Sequence, residues 1–145
     1  MKNLIIAALI ILGTLGSYAQ KPEIYATKTY AINGYDAVAY FKENMPVKGN
    51  IKLIYRYKEA NWLFSSEEDL REFKENPEKF IPQYGGYCAY GTSQGYKANT
   101  EPDAFTILNG KLYLNYNKKV QEVWNKNRNN YIIEADANWL KIKDE

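Results

Sequence analysis

Phe105-Thr106-Ile107-Leu108-Asn109-Gly110-Lys111-Leu112-Tyr113-Leu114-Asn115-Tyr116 decides the fold class of this chain. Asn-Gly tolerates φ > 0 at both central positions of a type I′ turn, whose twist matches that of the paired strands on either side. The stretch therefore predicts a β-hairpin over 105–116. Upstream, Ile51 to Tyr57 alternates, with Ile51, Leu53, Tyr55 and Tyr57 on one face, and Lys58-Glu59-Ala60-Asn61 separates it from Trp62-Leu63-Phe64. This predicts a second hairpin over 51–64. Ser65 and Glu68 have capping-box spacing, Leu70 and Phe73 follow three apart, and Asn76-Pro77 closes the pattern, so a helix is expected near 66–76. Asn117 is an N-cap candidate before Val120, Val123 and Trp124, which predicts a helix near 118–127, and a short last helix is expected over 131–139. Antiparallel hairpins mixed with several short helices make the expected class α+β.

With 145 residues, 46% apolar and 25% charged, the chain suits one domain around one core. Nineteen Lys and Arg against 17 Asp and Glu leave a formal charge of +2, which argues against a nucleic acid or an anionic membrane as partner. Histidine is absent and cysteine occurs once, which excludes a His-based triad, a His-ligated metal and a multi-cysteine zinc site within one chain. At the N-terminus, Lys2 precedes nine unbroken apolar residues, Leu4 to Leu12, and Ser17-Tyr18-Ala19 offers small residues for cleavage before Gln20. Residues 1–19 read as a Sec signal peptide, because nine apolar residues fall short of the roughly 20 that span a bilayer. The expected organisation is a signal at 1–19, a short segment at 20–28 and a domain over 29–142. The product would be periplasmic or secreted, with no stable membrane insertion after cleavage.

Export sharpens the meaning of Cys88. A lone thiol in an oxidising compartment has no intramolecular partner, so it is buried, bonded to another chain, liganded or reactive. It lies in Ile81-Pro82-Gln83-Tyr84-Gly85-Gly86-Tyr87-Cys88-Ala89-Tyr90-Gly91-Thr92-Ser93-Gln94-Gly95-Tyr96-Lys97, where the Gly pair permits a left-handed turn and tyrosines surround the sulfur. A helical turn after Gly86 would put Cys88 at its N-terminus and lower the thiol pKa. The alternative is a small buried hydrophobe packed among tyrosines.

Several motifs resemble one family. Ile32-Asn33-Gly34-Tyr35-Asp36-Ala37-Val38-Ala39-Tyr40-Phe41, Trp62-Leu63-Phe64-Ser65-Ser66, Phe73, Asn76-Pro77-Glu78-Lys79-Phe80, Gly85-Gly86-Tyr87-Cys88-Ala89-Tyr90-Gly91, Asn109 to Asn117 and Ala135-Asp136-Ala137-Asn138-Trp139 resemble the exported, single-domain form of the YHS domain. The likeness spans roughly residues 29 to 140. It implies a YHS-like α+β domain in a family that includes modules of heavy-metal-handling proteins, such as copper-transporting ATPases. In those versions two cysteines stand where this chain has Ser65 and Asp69, so a Cys-pair metal site is not expected. Some exported relatives carry selenocysteine at the position of Cys88, which implies a chemical role there.

The leading expectation is a non-enzymatic module that holds a soft metal, such as copper, or another thiophilic ligand through Cys88. Asp36 would be a second metal ligand, and Tyr35, Tyr87, Tyr90, Lys97, Asn115 and Tyr116 would line the site. Lys97 would support a thiolate by charge. For Asp36 a helix N-cap or turn role stands beside the ligand role. One Cys, Met45 and no His leave few soft donors, so a tight metal site would draw on a homodimer or an external ligand. The second reading is a thiol oxidoreductase with Cys88 as catalytic residue, which needs a resolving thiol from another protein. The third is an aromatic-lined module for sugars or peptides.

Overall fold

The computed structural model describes residues 20–145. The expected signal peptide, 1–19, lies outside them. The described residues carry six strands and six α-helices: β1 Ala26–Thr27, β2 Tyr30–Ala31, α1 Ala37–Glu43, β3 Asn50–Tyr57, β4 Ala60–Phe64, α2 Glu67–Glu75, α3 Pro77–Phe80, α4 Ala89–Ser93, β5 Phe105–Leu108, β6 Lys111–Leu114, α5 Lys118–Lys126 and α6 Arg128–Ile142. The class is α+β, as the hairpins require. A four-stranded sheet has the order β1-β2-β4-β3, and β5 pairs with β6 in a separate two-stranded sheet. Among the described residues no helix is long and apolar enough to cross a membrane.

Both hairpins close through two residues at positive φ: Lys58 and Glu59 at 48° and 60°, Asn109 and Gly110 at 52° and 72°. The first turn is therefore tighter than its four-residue separator suggests, because Ala60 and Asn61 already pair with Tyr57 and Arg56. The expected inward face of β3 holds for Leu53, Tyr55 and Tyr57 but not for Ile51. The pairing register shifts between Asn50 and Ile54, and Ile51 is left 66% exposed. Three residues of β3, Ile51 to Leu53, lie between those pairings while β4 passes directly from Phe64 to Leu63, so the strand bulges there and Ile51 leaves the inward face.

The expected Ser65 cap is also corrected. Ser66 Oγ accepts from Asp69 N at 3.1 Å and caps α2, while Ser65 N and Oγ both donate to Asp36. Asn117 caps α5 as the sequence suggests. The last helix runs well beyond 131–139 at both ends.

Two apolar clusters hold these elements. The first sets β4 and β6 against α1 and α2, with Phe73 meeting the rings of Tyr55, Tyr57, Trp62 and Phe64. The second joins Tyr84, Ala89, Tyr113, Trp124 and Ala135, with Tyr90, Tyr131 and Trp139 packed on it. Trp62 and Trp124 are core residues, and Trp139 is half-buried at the second cluster's edge. The Cys loop belongs to this second cluster.

Candidate functional site

The loop that delivers Cys88 is built by backbone conformation before side chains matter. Tyr84, Gly85 and Gly86 take positive φ in succession, at 58°, 62° and 88°. A Cβ on Gly85 would lie 1.8 Å from Glu23 O, so only glycine lets the N-terminal segment pass there. Tyr84 is held in this unfavourable region by its hydroxyl, which donates to Asp136 Oδ1 at 2.9 Å, and by its ring against Tyr113 and Trp139. The chain then straightens, Cys88 bridges in parallel to Leu114, and α4 begins.

Cys88 is the N-cap of α4, its sulfur accepting from Gly91 N at 3.4 Å. The thiol donates to Asn115 Oδ1 at 3.5 Å, and the same oxygen accepts from Tyr90 N at 3.1 Å. That second bond fixes the amide's orientation, since an N–H needs an acceptor and Nδ2 is a donor. Asn115 is fully buried, and its Nδ2 has no partner. Few buried polar atoms go unpaired in native folds, and those that do are costly.

Cys88 forms one wall of a cleft of about 300 Å³, with Tyr90, Tyr96, Ala98, Tyr116 and Val120 as the others. Only 1% of Cys88 is exposed, whereas Tyr96 and Tyr116 are both 52% exposed at the rim. Anything that reaches the sulfur passes the tyrosines.

The lowered thiol pKa expected from the helix end is not found. Burial pushes the Cys88 thiol up, and the opposing N–H groups of Gly91, Tyr116 and Tyr90 do not cancel it. A five-residue helix has little dipole to offer, and the apolar walls penalise a thiolate.

Of the expected site residues, Tyr90, Asn115 and Tyr116 gather at Cys88, and four do not. Lys97 is buried elsewhere. Its Nζ donates to the carbonyls of Lys21, Lys143 and Glu145 at 2.9, 2.8 and 3.2 Å and lies over the rings of Tyr87 and Trp139. Desolvation lowers its pKa. It ties the two terminal segments together rather than supporting a thiolate. Tyr87 points the same way, donating to Pro22 O at 2.8 Å, and burial raises its phenol to about 12. Tyr35 ends the turn over Ile32–Gly34 and bridges to Lys48.

Asp36 is the clearest correction. Its Oδ1 accepts from Val38 N and Ala39 N at 2.9 and 3.1 Å, capping α1, and its Oδ2 accepts from Ser65 N and Oγ at 2.8 and 2.7 Å. Both oxygens are committed to holding α1 against the end of β4, so the capping role prevails over the ligand role. Asp69 lies beside it, paired with Lys42 Nζ at 2.8 Å. Ser65 thus holds a hydroxyl bonded to Asp36, and Asp69 a carboxylate bonded to Lys42. Among the described residues no three His, Cys, Asp or Glu side chains are grouped to hold a metal ion.

No family model, curated protein or solved structure matches this chain.

Three cleft members were not marked as site residues in the sequence. Tyr96 shows there as one of the tyrosines near Cys88, and Val120 as part of the apolar face of α5, but no local signal turns either toward the sulfur. Ala98 has no signal at all.

Proposed function

We propose that this chain is an exported module of the YHS type whose Cys88 holds an apolar, thiophilic ligand. One observation carries the reading: the only thiol of the chain is a wall of an apolar, tyrosine-rimmed cleft and touches a buried amide with an unused donor. A cysteine retained only for packing needs neither a cleft nor an orphaned neighbour. The motif resemblance supports the family, and the selenocysteine of its exported relatives supports chemistry at this position. A soft metal is the weaker occupant, because the cleft offers one sulfur and tyrosine hydroxyls in place of a ligand set.

The test is selectivity. The reduced full chain should react with phenylmercuric acetate and N-ethylmaleimide in the folded state, and much more slowly with charged iodoacetate, relative to a free thiol. Modification that begins only on unfolding would sink the proposal and return Cys88 to packing.

A further inference from the structure

We infer that the free edge of β3 takes up an extended, acidic peptide as an added strand, at a place that shares no residue with the Cys88 cleft. β3 is last in the order β1-β2-β4-β3, and among the described residues no strand pairs with its outer side. Its register with β4 fixes which backbone groups are left over. Asn61 N donates to Thr29 O at 3.0 Å, on the side of β2, so Asn61 turns its backbone groups away from β3. Arg56, opposite Asn61, and Ile54, two residues along, are then the positions that exchange no bonds with β4. Their N–H and C=O groups point out of the sheet edge, at the spacing that the groups of another strand match.

Charge selects the occupant. The segment from Asn44 to Lys58 contains Lys48, Lys52, Arg56 and Lys58 and no Asp or Glu. Lys58 is paired with Glu23 and Glu78, but Lys48, Lys52 and Arg56 make no ion pair among the described residues. At the start of the strand a cavity of about 400 Å³ with Ile51 and Leu63 as apolar walls has Lys28 and Lys48 beside it and no carboxylate. A second copy is a poor fit, since antiparallel pairing about Ile54 sets Lys52 against Arg56 of the other chain. An acidic strand turns the same charges to advantage. Its carboxylates meet Lys52 and Arg56 on either side of Ile54, which is 43% exposed, and its inward side chains cover the half-buried Leu53 and Tyr55. Alternating acidic and apolar residues are thus the expected recognition pattern. An anionic membrane would use the charges and leave the N–H and C=O groups of the edge without a strand.

The reduced full chain, labelled with nitrogen-15, is titrated with a capped peptide of alternating Glu and Val, and the counterpart of alternating Lys and Val is the control. The amide signals of Ile54 and Arg56 should shift saturably and their hydrogen exchange should slow by about tenfold or more, while Tyr55 and Tyr57, whose N–H groups already face β4, stay within about twofold. Binding should weaken in salt, and Lys52→Glu combined with Arg56→Glu should lower the affinity by about tenfold or more. Ile54→Pro removes one outward N–H without touching the bonds to β4 and should lose the peptide. If that variant does not fold by circular dichroism, the charge-reversed pair decides alone. Equal binding of the Lys peptide, or unchanged binding by the charge-reversed pair, overturns the acidic partner. No protection at Ile54 and Arg56 overturns the added strand. Capture by phosphatidylglycerol vesicles without a peptide shift replaces the peptide with a membrane, and protection of the two amides that grows with protein concentration alone replaces it with a second copy.

Discussion

Two buried polar centres in this small domain are built in opposite ways. At Asp36 every lone pair direction is spent: two backbone N–H groups of α1 on one oxygen, the N–H and hydroxyl of Ser65 on the other. At Cys88 and Asn115 the amide oxygen likewise takes two donors, but the Nδ2 amino group on the same side chain donates to nothing. Both Asp36 and Asn115 are fully buried. A saturated centre fixes elements relative to one another and has no capacity left for a ligand; an unsaturated one beside a cleft keeps that capacity at some cost to stability.

Substitutions can break this contrast. Asp36→Ala should be the most damaging, unpairing four donors and uncapping α1, with a loss of about 3–5 kcal/mol in urea unfolding. If it costs as little as a surface change, the saturated centre is not structural. Asn115→Ala should cost about 1–3 kcal/mol, less than Asp36→Ala, because it strands Tyr90 N and the thiol but removes an already unpaired donor.

Alkaline pH sharpens the comparison further. The folded Cys88 thiol has a pKa raised above its reference of 9.0, so the unfolded chain ionises first and binds fewer protons. Stability from this group is present below that reference and falls as pH rises past it, by about 1.4 kcal/mol per pH unit until the folded thiol also ionises. The buried phenols of Tyr87 and Tyr113 act in the same direction at higher pH, and the lowered Lys97 ammonium acts against them. Cys88→Ser should therefore flatten the first part of the decline in a series of urea midpoints. An identical slope in both proteins would mean that the thiol ionises freely in the fold.

The smallest effect is expected at neutral pH. Cys88→Ser preserves the N-cap, for which serine is a favoured residue, and retains a donor for Asn115 Oδ1, so its cost should stay below about 1 kcal/mol. A loss of several kcal/mol would identify the sulfur's packing as its main contribution.

The sequence made the hairpins and the amphipathic helices readable because their signals are local: Asn109-Gly110 for one turn, and for α5 an N-cap followed by Val120, Val123 and Trp124 at helical spacing. The helix α1 gave no such signal. Ala37 to Tyr40 are all buried and only Lys42 and Glu43 at its end are exposed, so seven residues are too few for a period to show. The helix α4 is five residues long and contains glycine. At the site, Cys88 and Tyr90 are legible from their shared loop, and Asn115 and Tyr116 from their position at the end of the second hairpin. Asp36 and Lys97 misled for a common reason. A charged residue in an apolar stretch signals burial with partners, and composition does not reveal whether those partners are backbone groups or a ligand.

The bond between Cys88 and Asn115 crosses 27 residues of chain. At ordinary rates of synthesis that separation is about 1–5 s. During that interval the nascent chain has made its only thiol but not the asparagine that receives it, nor the Tyr116 and Val120 that wall it in. A thiol that only selected molecules reach in the finished protein is therefore open to any oxidant or cross-linking partner while the molecule is being made, and the yield of intact protein should depend on how reducing its surroundings are before the second hairpin closes.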